Sequence, residues 1–233
     1  QKTQLIYVCS PGNPTGAVMQ LEQWKQLFDL SKQYNFVIAS DECYSEIYFQ
    51  DTPPLGGLQA AKALGINDFK NLVCFTSLSK RSNVPGMRSG FVAGDAQLLK
   101  KFLLFRTYHG SALSPVIQQA SITAWNDEAH VELNRALYKE KFAKVTPLLA
   151  QHYDVQLPDA GFYLWMNVKG DDAEFAKALY QEFHLTVLPG SYLAREVNGV
   201  NPGQGRVRLA LVASVEECLE ATERLIAFAK SRA

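Results

Sequence analysis

The chain has 233 residues, 47% of them hydrophobic and 20% charged, enough apolar material for one large core or two smaller ones. Its 23 Lys and Arg balance its 23 Asp and Glu, so no overall field favours nucleic acid or an anionic membrane surface. No run approaches the eighteen or so apolar residues of a membrane span, and function must be sought in local constellations.

The first half alternates strands and helices. Leu5–Cys9 is an apolar run ended by the turn-rich SPGNPTG, and Leu21, Trp24, Leu27, Phe28 and Leu30 then recur at helical spacing. Phe36–Ala39, Asn71–Thr76 and Gly90–Ala93 read as further strands, with a helix near Leu98–Phe105. This order predicts an α/β fold with a mostly parallel, doubly wound sheet whose ligands gather at strand ends. After Ser114-Pro115 the chain reads as helical to about Gln151, interrupted at Asn126-Asp127 and Pro147. Gly161–Val168 alternates like a half-exposed strand, Asp171–Phe183 is amphipathic, and Arg206–Val212 is another strand. Asn198–Gly205 reads as a surface loop, and Ser214-Val-Glu-Glu217 is a capping box opening a last helix. A smaller C-terminal α+β domain is expected at 146–233, after a larger domain at 1–145.

Cys9, Cys43, Cys74 and Cys218 form no CxxC pair. Three of them sit in the strand-like runs LIYVC, VIASDEC and NLVCF, and all four are expected to be small hydrophobes in a reducing, cytoplasmic compartment. His109, His130, His152 and His184 are too scattered for a zinc site, and no metal is expected. Gln1 is not a start methionine and the first strand begins almost at once, so the domain is expected to have lost its beginning.

Four segments carry chemistry. Asn13 lies in Ser10-Pro-Gly-Asn-Pro-Thr-Gly16, which as a bare turn is common in any protein. Asp41 and Tyr44 lie in Ser-Asp-Glu-Cys-Tyr, just past a buried strand, where an open α/β sheet places ligand contacts. Lys80 follows Ser77 and Ser79 and precedes Arg88 by eight residues: hydroxyls and a guanidinium suited to a phosphate, beside an amine suited to a carbonyl. Arg208 sits in the strand RVRLAL, where its planar fork suits a carboxylate, although such an arginine can equally snorkel to solvent.

Taken together and in this order, SPGNPTG, Asp-Glu-x-Tyr, Ser-x-Ser-Lys-(x)7-Arg and a late arginine resemble the class I/II aminotransferases of the aspartate-aminotransferase fold. Within that family the phrases Ala39–Glu46, Ser79–Arg88, Thr107–Gly110 and Val187–Glu196 are most similar to the succinyldiaminopimelate aminotransferases.

The resemblance implies the type I fold of enzymes using pyridoxal 5′-phosphate (PLP), with the large PLP-binding domain represented by its C-terminal portion. It implies that Lys80 carries the cofactor covalently and, once freed, serves as the base. Asp41 would pair with the protonated pyridine nitrogen, and Tyr44 and Asn13 would hydrogen-bond the ring's phenolic oxygen. Ser77, Ser79 and Arg88 would hold the phosphate, and Arg208, with Asn13, would bind the substrate. Transamination between N-succinyl-2-amino-6-ketopimelate and glutamate is the implied reaction, with amino acids and 2-oxo acids as small-molecule partners and a homodimer as the assembly. The phosphate loop, the ring-stacking aromatic and the cross-dimer residues would precede Gln1, so the 233-residue chain alone is expected to bind PLP weakly and turn over poorly. The partner of a second substrate carboxylate stays open between Arg81 and Arg195. Other readings remain: a general amino-acid aminotransferase, a C–S lyase, the PLP-sensing domain of a transcription regulator, or a scaffold without cofactor.

Overall fold

The structure, a computed structural model, describes residues 2–110 and 112–232. The chain forms two compact units: Gln1–Gly12 with Ala17–Arg135 and Asp159–Gly161, and Asn13–Gly16 with Ala136–Pro158 and Phe162–Ala233.

In the first unit β1 (Leu5–Cys9), α1 (Leu21–Tyr34), β2 (Val37–Asp41), α2 (Gly57–Ala63) and β3 (Leu72–Ser77) follow one another. They are succeeded by α3 (Leu78–Arg81), β4 (Gly90–Gly94), α4 (Ala96–Tyr108) and α5 (Pro115–Asn126). The sheet order is β1-β2-β3-β4, the first three strands parallel and β4 antiparallel to β3. Parallel neighbours require crossovers, and α1 and α2 supply them, so the alternating pattern is realised as a mostly parallel sheet. Helix α1 buries Trp24, Phe28 and Ser31 at helical spacing and stops at Asn35, whose left-handed φ of 52° breaks the ladder. Its rings join Phe36, Ile38, Ala60, Ala61, Leu72 and Cys74 in one core. Helix α2 has no large-residue periodicity: its buried face is Gly57, Ala60 and Ala61, which no count of big apolar residues would find.

Helix α6 (Ala129–Leu149) begins in the first unit and continues in the second. The break expected at Pro147 does not occur. Proline there forfeits one hydrogen bond and strains the last turn, a cost of about 3 kcal/mol. Burial of Tyr138, Phe142, Val145 and Leu149 along the same helix outweighs it, at roughly 1.5–3 kcal/mol for each such side chain.

The second unit adds β5 (Tyr163–Asn167), α7 (Asp172–Phe183), β6 (Leu188–Pro189), β7 (Arg206–Ala210) and α8 (Val215–Lys230). Its sheet runs β5-β7-β6, antiparallel throughout. The capping box forms as expected: Ser214 Oγ accepts from Glu217 N–H at 3.2 Å, and Glu217 Oε2 accepts from Ser214 N–H at 2.9 Å. Strand β5 is less exposed than its alternation suggested, because Tyr163 is buried along with Leu164 and Met166. The loop Asn198–Gly205 is exposed over most of its length, but Gly203 is buried against Gly190: a Cβ there would lie 2.1 Å from the Gly190 carbonyl oxygen. No helix among the described residues is long and apolar enough to cross a membrane.

Candidate active site

Asp41 is the last residue of β2, and the amide of Glu42, just beyond it, still donates to the Phe75 carbonyl on β3 at 2.8 Å. The two parallel strands therefore end side by side. The exposed Asp41 carboxylate is oriented locally, its Oδ1 accepting from Cys43 N–H at 3.0 Å. Cys43 lies beyond the strand rather than in it, and its Sγ reaches Ser77 Oγ at 3.4 Å, linking the segment after β2 to the end of β3. Burial pushes the Cys43 thiol up to about 11, Ser77 offsets part of that, and the Asp41 carboxylate adds to it. At neutral pH this sulfur is a thiol and a poor nucleophile. None of the four cysteines forms a disulfide among the described residues. Tyr44, the next residue, is buried.

Ser77 caps the four-residue α3, its Oγ accepting from Ser79 N–H at 3.3 Å. Leu78 is fully buried, and Ser79 and Lys80 are partly exposed. The loop that follows is closed at its base. Ser77 pairs with Gly90 in the β3–β4 ladder, and Leu78 N–H donates to the Ser89 carbonyl at 3.0 Å. This closure holds Lys80 and Arg88 in one loop, which is the physical content of their eight-residue spacing. Arg88 caps a short 3-10 turn (Pro85–Met87) in a left-handed conformation, φ 52°, with Nη1 donating to the Pro85 carbonyl at 2.8 Å and its side chain exposed.

Gly90 permits the closure, since a Cβ there would lie 2.5 Å from the Thr76 carbonyl oxygen and 3.0 Å from Ser77 Cβ. Gly90→Ala is expected to lower the unfolding free energy by about 1–3 kcal/mol. A shifted denaturant midpoint would register the loss; an unchanged midpoint would show that the ladder yields freely.

The second unit holds the other pair. Arg208 lies on β7 opposite Trp165 of β5 and Leu188 of β6. Its Nη1 donates to Asn13 Oδ1 at 2.8 Å, and its guanidinium lies 4.3 Å from the centroid of the Tyr163 ring. The turn bearing Asn13 is pinched at its base by Gly12 N–H donating to the Ala17 carbonyl at 2.9 Å. Asp41, Tyr44, Ser77, Ser79, Lys80 and Arg88 thus share the first unit, and Asn13 and Arg208 the second.

Supporting residues were not legible beforehand. Glu42 Oε1 accepts from Ser40 Oγ at 2.9 Å and from Gly57 N–H at 2.7 Å, bracing the end of β2. Arg135 donates to the Glu46 carbonyl at 3.0 Å and to Glu46 Oε2 at 2.7 Å, and lies 4.3 Å from the Tyr48 ring centroid. Their partners are distant in sequence or polar, so no periodicity marks them.

The family model for aminotransferase class I and II matches residues 1–225. An LL-diaminopimelate aminotransferase of Aquifex aeolicus is 34% identical over 230 residues, covering 97% of this chain and 56% of the relative. The crystal structure of an aminotransferase from Neisseria meningitidis superposes with a TM-score of 0.94 at 59% identity, covering 97% of this chain and 58% of that one. A probable N-succinyldiaminopimelate aminotransferase from Thermus thermophilus superposes with a TM-score of 0.82 at 25% identity, covering 95% and 57%. The chain therefore spans little more than half the length of these relatives. With residues 1–225 of its 233 matched by that family model, the chain belongs to the class I and II aminotransferases, a family whose cofactor is pyridoxal 5′-phosphate.

Proposed function

We propose that the protein carries out PLP-dependent transamination, moving an amino group between N-succinyl-2-amino-6-ketopimelate and glutamate, and that it acts as a homodimer. Residues 1–145 would serve the cofactor as part of a large domain and 146–233 would form the small domain.

The single observation that carries the reading is the donor set at the ends of β2 and β3. An exposed carboxylate (Asp41), two hydroxyls (Ser77, Ser79), a partly exposed amine (Lys80) and an exposed guanidinium (Arg88) occupy adjoining segments of one unit. These groups fit PLP: a carboxylate for a basic ring nitrogen, an amine for an aldehyde, hydroxyls and a guanidinium for a phosphate.

When bound, PLP supplies an aldehyde for the amino group and a ring that withdraws electrons from the substrate's α-carbon. Asp41 would hold a proton on the ring nitrogen by offering it a carboxylate. Ser77, Ser79 and Arg88 would anchor the phosphate, and Tyr44 and Asn13 would donate to the ring oxygen. Lys80 Nζ takes the proton from the amino acid's α-carbon and holds it for return. Arg208 binds the α-carboxylate through its fork and so orients the Cα–H bond.

For a second substrate carboxylate, Arg81 has its guanidinium committed to Ala124 and Glu128, whereas Arg195 is exposed. Arg195 is the better candidate. A second reading, an enzyme acting on LL-diaminopimelate itself, is favoured by the Aquifex aeolicus relative. A 2-oxoglutarate assay with succinylated and free LL-diaminopimelate as donors separates the two. The succinylated donor is expected to have the higher kcat/KM; preference for the free diamine would select the second reading, and turnover of neither would overturn both.

A further inference from the structure

The residues immediately after Lys80 are each tied to one corner of the first unit, the junction of α5 and α6. Arg81 is 5% exposed. Its Nη1 donates to the Ala124 carbonyl at 2.8 Å, its Nη2 donates to Glu128 Oε1, and its guanidinium lies 5.0 Å from the centroid of the Trp125 ring. Ser82 Oγ meets His130 Nε2 at 2.8 Å, and His130 Nδ1 meets Asp127 Oδ2 at 2.9 Å. Asn83 Nδ2 donates to Asn134 Oδ1 at 2.8 Å. At the far end of the same loop, Ser121 Oγ of α5 donates to Ser89 Oγ at 2.8 Å.

Helix α3 has only four residues, so it cannot set its own orientation: a single turn is an unfavourable nucleus that persists only where side chains anchor it. Its two buried residues are Leu78 and Arg81. Three apart, they lie on one face of the turn, which leaves Ser79 and Lys80 toward the other. Leu78 is a non-directional anchor. Arg81 is directional, because a planar guanidinium engaged by a carbonyl, a carboxylate and an indole face has one allowed orientation. A buried guanidinium is costly unless paired, so these partners are required once Arg81 is inside.

We propose, on the reading of Lys80 as the cofactor lysine, that Arg81 is its positioning residue: the pinned guanidinium fixes the rotation of α3 and thereby the place from which the Lys80 amine reaches the cofactor aldehyde. The Ser82–His130–Asp127 chain secures the same turn one residue further on. Arg81 is thus assigned to the aim of the lysine rather than to a substrate carboxylate.

The test measures PLP retention and the fraction of protein labelled at Lys80 after borohydride reduction, in the wild type, Arg81→Met, Arg81→Lys, Lys80→Ala and the double variant Lys80→Ala/Arg81→Met. Arg81→Met is expected to lower labelling at Lys80 and weaken retention by about 10²-fold, the cost of a misplaced reacting group. Arg81→Lys, which keeps the charge but not the fork, should fall between. In the Lys80→Ala background the Arg81 substitution should change retention no further, because the residue it aims is gone. An equal loss in both backgrounds would show Arg81 to be merely structural and would overturn the proposal. Should Arg81→Met not fold, His130→Ala decides the matter: a smaller loss that vanishes in the Lys80→Ala background supports it, and a loss that persists there refutes it. Failure of the underlying reading looks different, since borohydride reduction of the wild type would then leave no label at Lys80.

Discussion

Lys80→Ala is expected to lower kcat for transamination by about 10⁴-fold, the upper range for a positioned acid–base group, while PLP is still bound. That factor corresponds to about 5 kcal/mol of barrier. The retained binding would follow from the other anchors proposed above: Asp41 at the end of β2, the Ser77 and Ser79 hydroxyls, and Arg88 in the closed loop. Lys80→Arg should not rescue, because a guanidinium stays protonated and cannot accept the α-proton. A small primary amine added to Lys80→Ala should restore part of the rate by supplying the missing base from solution. Single-turnover rates with a cofactor titration separate chemistry from binding. Normal turnover by Lys80→Ala would remove Lys80 from the reaction.

Arg208→Ala should chiefly weaken amino-acid binding, raising KM by about 10²-fold, as expected when a charged, hydrogen-bonded partner worth roughly 3 kcal/mol is withdrawn. The guanidinium is held ready before any carboxylate arrives. Asn13 Oδ1 fixes one edge at 2.8 Å and the Tyr163 ring covers one face at 4.3 Å. That arrangement removes in advance much of the rotamer entropy, about 2 kcal/mol, that a free arginine loses on binding. Arg208→Lys should recover only part of the affinity, since an ammonium offers a point charge in place of a fork. Asn13→Ala should raise KM in the same direction by a smaller factor. Apparent affinities that stay unchanged for every amino donor would show that Arg208 binds no carboxylate.

What could be read from residues alone follows a simple division. Strands β1, β2 and β3 were legible because each is built on a short apolar run, as strands of a parallel sheet are, even though Leu5 and Tyr7 of β1 are exposed. The last helix was legible because Ser214 and Glu217 satisfy orphan amides within three residues of each other. Helix α2 was not, since its packing face is glycine and alanine, and Pro147 misled, since the burial along α6 outweighs the local cost. The same division runs through the site. The order of Asn13, Asp41, Lys80, Arg88 and Arg208 and their chemical types are properties of the sequence, and with them the family.

How those groups are held is a tertiary matter. The closure of the Lys80–Arg88 loop depends on Ser77 pairing with Gly90 and on Ser89 meeting Ser121. The commitment of Arg81 to Ala124 and Glu128, more than forty residues on, withdraws it from the candidates for a second substrate carboxylate. Asn13 and Arg208 become a pair only because the strand bearing the arginine returns to the turn 195 residues earlier. Motifs record which chemistry is present, because reactivity belongs to side-chain type. Orientation and pairing belong to contacts between distant residues, and those exist only in the folded chain.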